Sequence, residues 1–202
     1  ETPLPSPSQP SAQPDAVSPP AEATPGPPGP QLGLVLSALA DSGSLPGAGF
    51  GGALGVRFGW PLLELRAQGL LLPARHAQLD PADAASVGAD LGLAAGALLA
   101  CTPLSEARFI DVSACGGAEL GRLWGKGTRV ATPHEQQRLW AAARLDLVGR
   151  WPLPGAPLGL ELVVSLAAPL LRDEFVLKNI GTVHEPPNVA GRAALGLNWQ
   201  FE

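Results

Sequence analysis

From Gln31 onward the chain alternates apolar residues with small or polar ones, in segments separated by turn-rich gaps. In one segment Phe50, Leu54, Val56, Phe58 and Trp60 share a face, opposed by Gly51, Ala53, Gly55, Arg57 and Gly59. In the next, Leu63, Leu65, Ala67 and Leu71 oppose Glu64, Arg66 and Gln68. Leu139, Ala141, Ala143, Leu145 and Leu147 oppose Arg144, Asp146 and Arg150, and Leu158, Leu160, Leu162, Val164 and Leu166 oppose Glu161 and Ser165. The last segment sets Val189, Ala193, Leu195, Leu197, Trp199 and Phe201 against Arg192, Asn198 and Gln200. Successive side chains of a strand point to opposite faces, so this period-2 order predicts strands lying between two different environments.

Together with Gln31 to Leu39, Ala85 to Ala100 and a segment ending near Trp124, these runs predict eight strands, an even number that can close as an antiparallel up-and-down barrel. The gaps alternate in length. Gly59 to Pro61, a piece near Thr102, and Pro152 to Pro157 read as tight turns, whereas the gaps around Ser44, Asp80, Pro133 and Val183 are long. Glu1 to Pro30 is dominated by Pro, Ser, Ala and Gly and has too few apolar residues to offset the entropy of ordering it, so residues 1–30 read as a disordered leader and 31–202 as the barrel. Its prolines favour extended polyproline-II structure, which suits a spacer or a docking strip for a partner.

Composition narrows the class. The chain is 46% hydrophobic and 15% charged, yet no apolar run approaches the roughly 18 residues that a spanning helix needs. A lipid-facing barrel reconciles these facts, because its strands alternate. The net charge of -5 argues against nucleic acid as a partner. The chain starts at Glu1 and contains no Met, the expectation for a mature or trimmed form whose signal peptide has been removed.

The polar face carries the candidate chemistry. Arg57, Arg66, Arg144, Arg150 and Arg192 are expected to project inward with Glu64, Asp90, Asp111, Glu119, Asp146 and Glu161, filling a narrow interior with an ion-pair network. Gly51, Gly55, Gly59, Gly88, Gly92 and Gly121 are expected to make room for them. Trp60, Phe109, Trp151, Trp199 and Phe201 toward one rim, and Phe50, Trp124, Trp140 and Phe175 toward the other, read as aromatic belts at the membrane interfaces, with parity turning Trp140 inward. Cys101 and Cys115 suit a disulfide in an oxidising compartment, a reduced buried pair being the alternative. Opposed cysteines would centre the fourth hairpin near Arg108 rather than on a tight turn at Thr102 to Ser105. They would also need a bulge within Ala94 to Ala100 to bring Cys101 into phase, with Phe109 and Ile110 outside the regular strand.

Catalytic signals are sparse. His76, His134 and His184 fall in expected outer loops, two of them beside Glu135 and Glu185, and Ser86, Ser105, Ser113 and Ser165 lack the context of a nucleophile. No cofactor or metal is called for.

The C-terminal ALGLNWQF, with Leu195, Leu197, Trp199 and Phe201 on one face, resembles the terminal-strand signature of bacterial outer-membrane barrels, although Glu202 follows the aromatic. With the strand count, residues 31–201 resemble the eight-stranded OmpA-like and OmpX-like barrels. The resemblance implies a location in the outer membrane of a Gram-negative bacterium, with leader and C-terminus in the periplasm, lipids as surroundings, and assembly machinery that reads the last strand. It implies no particular activity. A structural, adhesive or envelope-stabilising element is the leading expectation. A lipid-modifying enzyme, a narrow channel and a soluble lipocalin-like binder are the rivals, the last requiring the Leu-rich face to point inward.

Overall fold

The computed structural model describes residues 29–78, 88–107, 109–128, 135–171, 175–177, 181–184 and 187–201. The strands are β1 (Gln31–Ser42), β2 (Ala48–Gly59), β3 (Glu64–Gln78), β4 (Gly88–Ala107), β5 (Ile110–Thr128), β6 (Glu135–Pro152), β7 (Leu158–Pro169), β8 (Phe175–Leu177), β9 (Gly181–His184) and β10 (Ala190–Phe201). Eight of them close into an antiparallel barrel in the order β1-β10-β7-β6-β5-β4-β3-β2, and β8 pairs with β9 in a separate hairpin that the sequence did not announce.

Stagger sets the barrel's shape. From Ala38, one row of paired residues runs through Gly52, Leu71 and Ala94 to Arg122. In the other direction the row runs through Leu195, Leu162 and Gly149 to Val112, so it closes on β5 with an offset of ten residues, from Val112 to Arg122. Eight strands with such an offset tilt by roughly 40° and leave an interior just wide enough for side chains to fill.

The start of β1 and the end of β10 meet at one rim, where Leu32 pairs with Phe201. The tight connections lie there too: Trp60 N–H donates to Leu63 O at 2.8 Å, and Leu153 N–H donates to Leu158 O at 3.0 Å across a turn whose Gly155 has φ of 74°. The chain leaves β1, β3, β5 and β7 at the opposite rim, the connection after β1 (residues 43–47) being as short as the turn after β6.

Alternation holds along the wall. In β1, Leu32, Leu34 and Leu36 are exposed while Gly33, Val35, Ser37, Leu39 and Asp41 are buried. In β6 and β7, Leu145, Leu147, Leu160, Leu162, Val164 and Leu166 face out. The Leu-rich face is therefore the outer surface and the charged face the inner one.

The interior is not polar throughout. Toward the long-loop rim it is packed by Leu39, Leu45, Leu70, Leu72, Leu91, Leu93, Leu123 and Trp140. This overturns the expected parity of the fourth strand: Leu91, Leu93, Ala95, Ala97 and Leu99 point inward, and Asp90 and Gly92 point out. Cys101 is consequently in phase with its partner, and the register from Ala94 to Cys101 runs without the expected bulge. The irregularity falls instead between Pro103 and Ser105, and the ladder continues to Ala107 opposite Ile110, so Ile110 belongs to the strand and no tight turn forms at Thr102 to Ser105. A second irregularity, between Leu72 and Arg75 of β3, accommodates Pro73, which has no N–H to give to a ladder. Gly121 shows why small residues face inward: a Cβ there would sit 2.2 Å from Ala94 O and 2.5 Å from Ala95 Cβ.

Candidate functional site

The inward polar side chains gather in two clusters along the barrel axis. Toward the tight-turn rim, Glu64 accepts from Arg57 Nη1 at 3.2 Å and from Arg150 Nη2 at 2.8 Å, while Arg66 Nη2 donates to Glu161. Asn198 Oδ1 accepts from Arg57 Nη2 at 3.2 Å. Farther inside, Glu119 accepts from Trp140 Nε1 at 2.7 Å and from Arg192 Nη1 at 2.5 Å, with Arg144 Nη1 at 3.4 Å. Arg192 also donates to Asp41 at 2.7 Å and to Ser44 Oγ at 2.9 Å, and Arg144 donates to Asp146 at 2.8 Å and to Ser165 Oγ at 3.3 Å.

The charges balance over the whole and not within each cluster. Arg57, Arg66 and Arg150 face Glu64 and Glu161, whereas Arg144 and Arg192 face Asp41, Glu119 and Asp146. Ions this well buried are tolerable only when each has several partners, and most here do. The exceptions are the buried Arg57 Nε, Arg66 Nη1, Arg150 Nε and Glu161 Oε2, which lack hydrogen-bond partners. The last two lie 3.6 Å apart, too long for a hydrogen bond but close enough to attract.

Leu99, Cys101, Cys115, Val148 and Val163 form an apolar layer between the clusters. Cys101 and Cys115 are disulfide-bonded and are directly opposed in the β4–β5 ladder. Below the first cluster, a recess of about 320 Å³ opens at the tight-turn rim, edged by Gln31, Trp60, Asp111 and Gln200.

Of the residues singled out in the sequence, Arg57, Glu64, Arg66, Glu119, Arg144, Asp146, Glu161 and Arg192 converge in these clusters, joined by Arg150. Asp90 does not converge with them. It lies on the outer face, its Oδ1 2.9 Å from His76 Nδ1, and His76 itself belongs to β3 rather than to a loop. Gly92, expected inside, lies under the outward Trp124, whose ring a Cβ would meet at 2.4 Å. Asp41 and Ser44 were not anticipated, because the first strand runs to Ser42 rather than ending at Leu39. Their signal was parity: Asp41 continues the inward series Val35, Ser37, Leu39.

Trp60, Trp151, Trp199 and Phe201 present exposed rings around the tight-turn rim, with Trp199 and Phe201 stacked at 6.2 Å. Phe50 lies exposed toward the other rim, where the Arg75 guanidinium sits 5.3 Å above its ring. Trp140 is inside, 2% exposed, and belongs to the core rather than to a belt. Ser113 and Ser165 serve as acceptors for Arg150 and Arg144. The side chains of Phe175 and His184, and residues His134, Glu185 and Ser86, lie outside the described residues. Among the described residues no cluster of His, Cys, Asp and Glu could hold a metal ion.

Known structures share this architecture. The chain is similar to a major outer membrane protein from Thermus thermophilus (15% identity, TM-score 0.66, covering 86% of this chain and 100% of that one). It is also similar to Neisserial surface protein A (11%, 0.53, 85% and 97%) and to Ail, the attachment invasion locus protein of Yersinia pestis, solved with the heparin analogue sucrose octasulfate (11%, 0.51, 85% and 97%). The fold is that of the small eight-stranded outer-membrane barrels. No protein-family model and no curated protein sequence matches the chain. At such low identity the outer-membrane barrel fold is what the likeness carries, and activities do not travel with it.

Proposed function

We propose that the protein is an integral outer-membrane barrel of a bacterium that acts without catalysis, as a structural, adhesive or envelope-stabilising element. The observation that carries this reading is the sidedness of the wall. Residues such as Leu36, Leu54, Leu145, Leu166 and Leu195 are between 54% and 65% exposed on the outside, while Glu119 and Glu161 are at most 1% exposed inside. A soluble ligand-binding barrel would reverse that order. An apolar belt of this extent exceeds the few hundred Å² that monomers in water expose, and lipid is the solvent that suits it.

In this reading the tight-turn rim, with the start of β1, the end of β10 and the rings of Trp60, Trp151, Trp199 and Phe201, faces the periplasm, and the opposite rim faces outward. The aromatic rings at each rim sit at the lipid headgroups, and the ion-pair clusters rigidify a closed interior. Residues 1–30 form a periplasmic leader available to a partner, and the terminal strand from Ala190 to Phe201 is the segment that the barrel-assembly machinery reads. The longer intervals between β3 and β4, between β5 and β6, and between β7 and β10, which all leave from one rim, support this orientation.

The test is refolding from urea into detergent micelles or lipid vesicles and, separately, into plain buffer. A folded, monodisperse species is expected only with amphiphile. A monodisperse folded barrel in buffer alone would overturn the membrane assignment.

A further inference from the structure

We infer that the Cys101–Cys115 bridge is made before the barrel closes, by thiol–disulfide exchange with a disulfide-bearing oxidoreductase, and that it hands the sidedness of β5 to β4. The two residues are directly opposed in the β4–β5 ladder, and their side chains point inward, 1% and 4% exposed. Leu99, Val148 and Val163 pack with them. The recess at the tight-turn rim is lined by Arg57, Glu64, Ser113 and Arg150, and neither cysteine lines it.

The exchange needs room that this packing does not leave. One cysteine thiolate attacks the oxidant's disulfide, which releases one oxidant thiol and leaves a mixed disulfide between the two polypeptides. The second cysteine then attacks the chain's own sulfur in that mixed disulfide, forming the Cys101–Cys115 bond and releasing the oxidant's other thiol. Two electrons pass to the oxidant, which becomes a dithiol, and the two cysteine protons end on its sulfurs, directly or through water. A second polypeptide carried on either sulfur cannot sit where Leu99, Val148 and Val163 lie, whereas the unfolded chain presents both thiols freely. The bridge also lies within one hairpin, at a sequence separation of 14, so its formation requires no other strand to be in place.

An early bridge supplies what β4 lacks. From Gly92 to Ala100 both faces of this strand are apolar or small, so exchanging Leu99 for Leu98, Ala97 for Gly96 or Ala95 for Ala94 inside the barrel alters little. A one-residue slip turns every side chain of a strand to the other face, and a strand of this kind resists it weakly. β5 is marked by contrast, because Glu119 is fully buried on the inward face that also carries Cys115. A bridge to Cys115 requires Cys101 on that same face with the Cα atoms within about 7 Å. This excludes the one-residue slip and disfavours a diagonal pairing, whose separation is about 7–8 Å. Leu91, Leu93 and Leu99 are thereby directed inward together with Cys101.

The experiment takes the full chain with both thiols reduced, folded from urea under whichever condition, micelle or buffer, gives the barrel, so that its outcome is independent of the membrane reading. Oxidised glutathione is added to the folded barrel and, in parallel, to the chain in urea, and bridges are counted by alkylation and mass analysis. A lone cysteine at the rim, Leu153→Cys in a chain with Cys101→Ser and Cys115→Ser, corrects both rates for the solvent. The folded barrel is expected to oxidise at least about 100-fold more slowly, because exchange at buried atoms waits for an opening event. A smaller ratio would overturn the order of events, and a reduced chain that does not close at all would support it. For the register, the amide NMR signals of Gly92 and Gly96 are compared between the chain oxidised before folding, the reduced chain, and the variant with both cysteines replaced by serine. One set is expected from the bridged protein, and a second set, from slipped β4, from the other two. A bridge that only stabilises would leave a single set in all three, and that result would overturn its part in the register.

Discussion

Arg192 holds the inner cluster together, and its removal has an effect whose sign can be worked from the contacts. Its guanidinium joins Asp41 at 2.7 Å, Glu119 at 2.5 Å and Ser44 at 2.9 Å, and the residue is 6% exposed. Arg192→Met preserves most of the volume and removes the charge, leaving Asp41, Glu119 and Asp146 with Arg144 as their only cation in the cluster. Breaking a buried pair from one side costs about 3–5 kcal/mol, and that is the expected loss. Glu119→Gln alone removes the charged acceptor of Trp140 Nε1 and of Arg192, while Arg144 keeps Asp146 and Arg192 keeps Asp41. It should cost about 1–3 kcal/mol. In the Arg192→Met background the same change relieves an excess negative charge, so it should stabilise by about 1 kcal/mol, a coupling typical of side chains in one network. The assay is equilibrium urea unfolding in micelles for wild type, both single variants and the double variant, followed by tryptophan emission and by gel mobility. Arg192→Met within 1 kcal/mol of wild type, or additive effects in the double variant, would refute the account of the interior.

Replacing both cysteines by serine should lower stability by about 2–3 kcal/mol without preventing closure, since the bridge closes a loop with a sequence separation of 14; alkylation and mass analysis of the unreduced wild type should find no free thiol. Because the interior is filled, monomeric protein in planar bilayers should give no large, stable conductance steps, and such steps would contradict the packing of the apolar layer between the clusters. Deleting residues 1–29 should leave the β-sheet circular dichroism per barrel unchanged, and its loss would mean that the leader packs against the barrel.

Much of this architecture was legible because one environment opposes another along most strands. In β7, Glu161 and Ser165 between leucines leave only the choice of which face is inside. Legibility failed on β4, where both parities are apolar or small from Gly92 to Ala100. Asp90 then drew the inward assignment to the wrong face, and Cys101 followed it. The inward Leu91 and Leu93 belong to an apolar packing shared with Leu70, Leu72 and Trp140, and Leu99 to the layer with Val148 and Val163; no single strand discloses partners that far away in sequence. The same holds for the clusters: their members could be named strand by strand, but the pairing of Arg66 with Glu161 depends on closure of the barrel and its ten-residue stagger.

The central claim is that the Leu-rich face meets lipid, and site-directed spin labels at Leu36→Cys, Leu145→Cys and Leu195→Cys of protein refolded in vesicles test it most directly. Each of these positions is outward and exposed, and the native cysteines are held in their disulfide. Collision with dissolved oxygen should exceed collision with a water-soluble nickel chelate at all three, with a label at the rim residue Leu153→Cys showing the opposite balance. Ready access of the nickel chelate to the three wall positions would place that face in water and contradict the account.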